Sequence, residues 1–579
     1  MPRVDVRAVL FAAIVCAFAA GCGGGGGSLL PHGIGGNVSG GSSNGSNATA
    51  ILRILIPAAQ SSPLSNVRRM PQYISPATAQ LAYSIDGAAQ TPVTLTTANP
   101  DCSGSPVQCN VPFSVAPGTH TFQFVLEDAH GAALSGVTSV SSTLTAGVAN
   151  TLSVTLGGIA TQVVVQPTAD ANRMQGSLAN GFQIYGNAPV SFAIVLLDAD
   201  NYAIVGSGAP APSISPSAGA PFTVASPVAS SNVWTLTSSY NPTNPTVPSI
   251  TGFTIVATPV PNNGIPTPVP TGSPIQTAQP LTAPVTLGLY QPWIFVVNSG
   301  SNVVTAYDEQ GNQKVVSFAS VNAPRGIALQ ASSVTPAPST SPTPYIADMY
   351  VTNSGNNTVG VYAPIVPIAT STSVPGGFSG LNAPGAIAFD GNNNEFYIAN
   401  TAGSNALAAF DYLGNAAGGF TAPTFVPTAT PVPTATPAPG WVQTAIASDA
   451  TDHLIFVASY LSGSTSKVTA YSEAGATSTS WTTGLNQPSG LAYDPNNGWI
   501  YVANKGGNNV TTYSSSGVQQ ATTVTGLSSP GALLFDPYSD VFYVVDGGNT
   551  MKAFSESGSA VSVSGFSALN GATQMVLLP

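Results

Sequence analysis

The chain has 579 residues, of which only 6% are charged, and its 22 acidic side chains outnumber 11 basic ones for a formal net charge of −11. Nucleic acid is disfavoured as a partner, because phosphate contacts need a basic stripe that this composition does not supply. Solubility has to come from Ser, Thr, Asn and Gln, and the length accommodates several domains.

Residues 1–22 read as a signal peptide. Arg3 and Arg7 precede AVLFAAIVCAFAA, which is apolar but too short to cross a bilayer as a mature helix. The run ends Ala19-Ala20-Gly21-Cys22, which resembles a bacterial lipobox with Ala19 where Leu is commoner. That resemblance implies a lipidated Cys22 and a place in the cell envelope, with the membrane reached through the N-terminal lipid. An ordinary signal peptide followed by a chance cysteine is the alternative. Residues 23–49 form a Gly/Ser-rich tether that cannot bury a core. Within it Gly41-Ser42-Ser43-Asn44-Gly45 matches a hydrolase pattern but lacks the strand–turn–helix setting that would expose the serine.

Residues 50–158 alternate apolar runs with turns (ILRILIP, AQLAYSID, THTFQFVLED), the pattern of an antiparallel, immunoglobulin-like sandwich. Cys102 and Cys109 are expected to form a disulfide there, in an oxidising compartment and with no metal-ligand partners nearby. Residues 159–289 read as a second sandwich. VLEDAHGAALSG (from Val125) and VLLDADNYAIVG (from Val195) align without gaps at an offset of 70, so one module is duplicated. Asp198-Ala199-Asp200 hints at calcium, yet it lacks the Gly and terminal Glu of an EF-hand loop and reads as a hairpin turn. Three Pro/Thr/Ser tracts, at 259–284, 331–344 and 421–439, are solvated insertions of polyproline type.

Residues 290–579 carry a degraded repeat, best preserved in PSGLAYDPNNGWIYVANKGGNNVTTYSSSG from Pro488. A short strand after Pro comes first, then a strand ending on a small polar residue, a Gly/Asn turn and a third strand with an aromatic near its end. Six copies predict an all-β, six-bladed propeller. The first copy, from Trp293, lacks its opening strand, and the terminal ATQMVLLP matches what is missing. The C-terminal strand is therefore expected to close the ring. IYVANKGGNNVTTYSSSG resembles the NHL and YVTN-type propeller repeat, a family that shades into streptogramin-lyase and lactonase-like propellers.

The second strands end at Asn298, Asn353, Asn400, Ser459, Asn504 and Asp546. With Arg325, the Asn and Asp residues form a candidate ligand rim at the ring's mouth. The competing reading is that each Asn caps its own turn, and that Arg325 and Asp546 form a structural ion pair. The lyase resemblance implies a mouth histidine, but His453 falls in a turn on the other face. The lactonase resemblance implies a metal held by carboxylates, of which the rim supplies only Asp546. No catalytic residues, no metal and no cofactor are expected, Ca²⁺ being unsupported. The sequence points to a monomeric, lipid-anchored, non-enzymatic scaffold that binds an extracellular protein or carbohydrate. A propeller lactonase or lyase and a structural surface-layer component are the alternatives.

Overall fold

The computed structural model describes residues 47–57, 74–136, 138–169, 172–204, 209–227, 232–242, 248–258, 280–316, 318, 320–330, 348–363, 369–370, 377–402, 407–423, 441–461 and 465–579. Every regular element among them is a β-strand. Cys22 and tether residues 23–46 lie outside these residues, as do most of the three Pro-rich tracts, and the last two tether positions, Ala48 and Thr49, belong to the first strand.

In the first sandwich, one sheet runs Cys102–Ser103, Val107–Val115, Ala48–Ile56, Asn150–Leu152. The facing sheet is built on Gln80–Ile85, Gly118–Glu127 and Thr138–Leu144. Ala48–Ile56 alternates buried and exposed residues without a break, as a strand with one wet face must. Its inward set, including Leu52, Ile54 and Ile56, packs on Phe113, Phe122 and Phe124. Val107–Val115 pairs with it along its whole length and has the same period, Val107, Cys109, Val111 and Phe113 pointing one way. Asn and Pro between those residues disguise the strand in the sequence. Cys102 and Cys109 face each other across this hairpin and are disulfide-bonded.

The second sandwich packs Gln162–Ala169, Val190–Leu197, Val233–Ser238 and Phe222–Ala225 against a five-stranded sheet that includes Gly181–Tyr185, Ser249–Thr258 and Leu281–Tyr290. The first Pro-rich tract joins Ser249–Thr258 to its antiparallel neighbour Leu281–Tyr290 and so belongs to this sandwich. Neither sandwich is purely antiparallel. Ala48–Ile56 pairs in parallel with Asn150–Leu152, which follows Thr138–Leu144 of the facing sheet, and Gly181–Tyr185 pairs in parallel with Leu281–Tyr290, which follows Ser249–Thr258 of its own sheet.

The offset of 70 is a structural equivalence. Asp128 Oδ1 accepts the amides of His130 and Ala132, and Asp198 Oδ1 accepts those of Asp200 and Tyr202. Each aspartate thus closes a hairpin turn with its own carboxylate, and the turn needs no cation to hold it.

Six further antiparallel sheets follow in order around a ring. The inner strands of blades 2 to 6 are Pro324–Leu329, Pro384–Asp390, Val442–Asp449, Pro488–Asp494 and Leu533–Asp536. Blade 1 takes its inner strand from the C-terminus, Ala572–Leu578 pairing with Trp293–Asn298. Adjacent inner strands touch all the way round, Ala572–Leu578 meeting those of both blade 2 and blade 6. Closure removes the open edges that a row of sheets would expose.

Each second strand is buried on both faces, as in IYVAN of blade 5. Ile500 and Val502 pack towards blade 4, and Tyr501 and Ala503 towards blade 6. Six such clusters, one between each pair of neighbours, form the propeller's core. The ring tapers inward, so inner strands carry small residues where they converge. Gly490 marks the limit: a Cβ there would lie 2.2 Å from the Gly531 carbonyl oxygen.

Candidate binding mouth of the propeller

The channel opens at both ends. At the end where inner strands finish, a cavity of about 370 Å³ is walled mostly by apolar groups such as Ile327, Ile446, Leu491 and Pro537. At the end where they begin, a cavity of about 590 Å³ is lined by Arg325, Lys505, Gln443, Gln487, Tyr460 and a set of hydroxyls and glycines. No carboxylate lines this polar mouth among the described residues.

The second sandwich sits against the opposite face. Arg173 Nη1 lies 3.4 Å from the Glu309 carboxylate of blade 1, with side chains 9% and 4% exposed. The same nitrogen donates to the Tyr185 carbonyl at 3.0 Å. Tyr185 stacks on Tyr538 of blade 6 at 4.0 Å between ring centres. Asn172 Nδ2 donates to Asp540 at 3.1 Å. Burial first, and then the charge of Asp536, push the Glu309 carboxyl up to about 8, against the pull of Arg173. Burial beside a second carboxylate thus favours the protonated form of Glu309. The polar mouth therefore faces away from this junction.

The predicted rim is mostly not a rim. Asn298, Asn353, Asn400, Asn504 and Asp546 are all buried. Asn298 Oδ1 accepts the Asn570 amide at 2.9 Å, Asn353 that of Asn322 at 2.9 Å, Asn400 that of Asn382 at 3.0 Å and Asn504 that of Asn486 at 3.1 Å. Asp546 accepts the Ser528 amide in the same way. Each donor lies in the loop entering the inner strand of the same blade. These side chains hold that loop to the end of the second strand and are not free for a ligand. Nor does Asp546 meet Arg325: its partner is Lys552, at 2.7 Å. Of the predicted group, Arg325 alone lines the mouth.

Left-handed backbone falls four residues later in the turn, at Asn302, Asn357 and Asn508. Their side chains reach the next blade, accepting the amides of Ala323, Ala383 and Ser529. The repeated N-x-x-x-N turn thus caps its own blade with the first Asn and staples the neighbour with the second. A third set of fasteners rings the mouth itself. Thr573 donates to the Arg325 carbonyl at 2.7 Å, Thr444 to that of Pro488 at 2.7 Å and Ser489 to that of Pro530 at 2.6 Å.

His453 stands in the turn between the first two strands of blade 4, its Nδ1 2.9 Å from Glu473. That carboxylate holds the imidazole above its usual range. It lies on the face away from the polar mouth. His120 and His130 pair with Asp86 and Asp128 in the first sandwich. Lys505, Gln443 and Tyr460 were not singled out by sequence reasoning. The available signal was QTAIASD and FVAS, the one blade that has neither the opening Pro nor the terminal Asn or Asp.

No protein-family model matches the chain, and no curated protein does. Among solved structures, the crystal structure of a nidogen/laminin complex aligns with 50% of this chain and 98% of that one, at 12% identity and a TM-score of 0.37. The crystal structure of a functionally unknown protein from Desulfotomaculum acetoxidans DSM 771 aligns with 47% of this chain and 78% of that one, at 13% identity and a TM-score of 0.31. The all-β architecture and the ring of blades are established by the sheets of this chain themselves.

Proposed function

We propose that this chain is a non-enzymatic binding protein of a bacterial cell envelope, anchored by a lipid on Cys22 and carrying an NHL/YVTN-type propeller on two immunoglobulin-like sandwiches. The propeller's polar mouth takes the ligand, a segment of an extracellular protein or polysaccharide. The observation that carries this reading is the placement of that mouth. It is concave and lined by cations, amides and hydroxyls, and it opens on the face opposite the sandwich junction. Concave sites with a few convergent polar groups are where ligands are held.

The test is a glycan and peptide array probed with the whole protein and with Gly531→Phe. Gly531 lines the mouth, and a Cβ there meets nothing nearer than 3.6 Å. The larger side chain should block the cavity without disturbing the ring. Ligands that bind the parent and not the variant support the mouth; ligands indifferent to the change place binding elsewhere. Anchoring is tested separately by fatty-acid labelling, which Cys22→Ser should abolish.

A further inference from the structure

We propose that blade 4 adapts the mouth to an acidic saccharide, whose carboxylate meets Arg325 and Lys505 and whose hydroxyls meet Gln443 and its neighbours. This rests on the reading of the mouth as the binding face and names the chemistry it selects.

The first observation is a break in the repeat. In register, Pro324 faces Asn353, Pro384 faces Asn400 and Pro488 faces Asn504. In blade 4 both partners change at once, and Gln443 faces Ser459. Gln443 is 2% exposed and Ser459 1%. Among the described residues Gln443 Nε2 and Ser459 Oγ have no hydrogen-bond partner, whereas the corresponding Asn side chains are engaged. A buried donor without an acceptor is costly, and such departures from local consistency concentrate at functional sites. Gln443 is also part of the mouth's wall, so an acceptor brought in by a ligand completes it.

The second observation is the charge of the lining. Arg325 and Lys505 are exposed and make no ion pair among the described residues. Arg325 follows the opening Pro of its inner strand, at the place where Thr573, Thr444 and Ser489 each spend a hydroxyl on the next blade. Among the described residues the arginine side chain makes no such bond, and it lines the cavity. The net charge of −11 does not prevent an anion from arriving. At physiological salt, charges farther off than about 8 Å are screened, and the cations in the wall dominate.

The third is the kind of anion. A guanidinium fork matches a planar carboxylate with two parallel hydrogen bonds. A cavity of about 590 Å³ with Tyr460, Gln487 and Ser489 in its wall is larger than one inorganic ion requires. Its amides and hydroxyls suit a ring bearing several hydroxyls.

The experiment is calorimetric titration of the whole protein with trigalacturonate, with the neutral galactose trimer and with a short peptide carrying a free C-terminal carboxylate. The acidic trimer is expected to bind at least about tenfold more tightly than the neutral one, a preference that shrinks as salt rises. Arg325→Gln, at an exposed position, should abolish the preference with an unchanged melting temperature. Gln443→Leu should weaken both trimers. Equal affinity for the two trimers overturns the proposal, as does tighter binding of the peptide or indifference to Arg325→Gln. Absence of trigalacturonate binding overturns it too. The mouth reading survives that result if another ligand remains sensitive to Gly531→Phe.

Discussion

Gln574 reaches across the channel to Ile387: its Nε2 donates to the Ile387 carbonyl at 2.6 Å, and its Oε1 accepts the Ile387 amide at 3.1 Å. Gln574 belongs to the closing strand of blade 1 and Ile387 to the inner strand of blade 3. The contact therefore bypasses blade 2, where Gly326 leaves room for it; a Cβ there would come within 2.9 Å of Gln574 Oε1. Inner-strand backbone groups that point into a channel have no strand to pair with, and this side chain satisfies two of them.

Gln574→Leu keeps the volume and removes both bonds. We expect a loss of about 1–3 kcal/mol in unfolding free energy, from backbone groups left without partners. Denaturant titration measures it. An unchanged midpoint would remove Gln574 from the account of ring closure.

Gly490→Ala tests the taper of the ring. The added methyl would sit 2.2 Å from the Gly531 carbonyl oxygen, backbone against backbone. A loss of at least about 2 kcal/mol is expected, as for overpacked cores. Gly418, where an added Cβ would meet nothing within 4 Å, supplies the control, and Gly418→Ala should stay within about 0.5 kcal/mol. Equal melting temperatures for the two variants would contradict the close approach.

How legible all this was depends on how each feature is written. The closing strand could be found because ATQMVLLP matches a gap in a repeated pattern, and repetition averages out local ambiguity. Val107–Val115 was harder, because its period-2 pattern is interrupted by residues that usually mark loops. The rim is hard to read for a different reason. A polar residue at the end of each second strand predicts position correctly, but position does not say whether the side chain points into the cavity or is consumed by a backbone amide. The fold separates Asn504, which accepts the Asn486 amide, from Gln443, whose Nε2 has no partner among the described residues. The break in blade 4 was visible as a departure from consensus, and it could be weighed only once the other blades showed what the consensus does.

Buried carboxyl pairs make the propeller sensitive to rising pH. Burial, then Asp536, pushes Glu309 up to about 8, and burial, then Asp494 and Asp540, pushes Glu556 up to about 7. Each holds a proton in the native state that the unfolded chain, with an ordinary value of 4.5, has released. The stability they support is complete below about 4.5 and is lost as pH rises through 7 to 8. Across that window the extra proton on buried Glu309 costs about 1.4 kcal/mol per pH unit, and that on half-exposed Glu556 less, because solvent screens it. Unfolding free energies between pH 5 and 8 should fall for the parent and fall less steeply for Glu309→Gln. The comparison cancels the other titrating groups. Parallel slopes would show that Glu309 does not hold its proton.

Blade 4 should be stabilised by giving it back what the other blades have. In the double substitution Gln443→Pro with Ser459→Asn, the new proline takes a position that Pro324, Pro384 and Pro488 already occupy in register. It narrows the unfolded chain's freedom, an effect of about 0.4–1 kcal/mol where the backbone is compatible. The new asparagine is placed as Asn504 is, whose Oδ1 accepts the amide two residues ahead of the inner strand's first Pro. In blade 4 that amide belongs to Trp441. One regained hydrogen bond adds about 1 kcal/mol, and two unpartnered buried donors disappear with the original side chains. The sum predicts a gain of about 1–2 kcal/mol, read as a higher denaturation midpoint with an unchanged slope. A lower midpoint would mean that blade 4 uses Gln443 and Ser459 to hold its own fold, in which case their unpaired donors are no mark of a site.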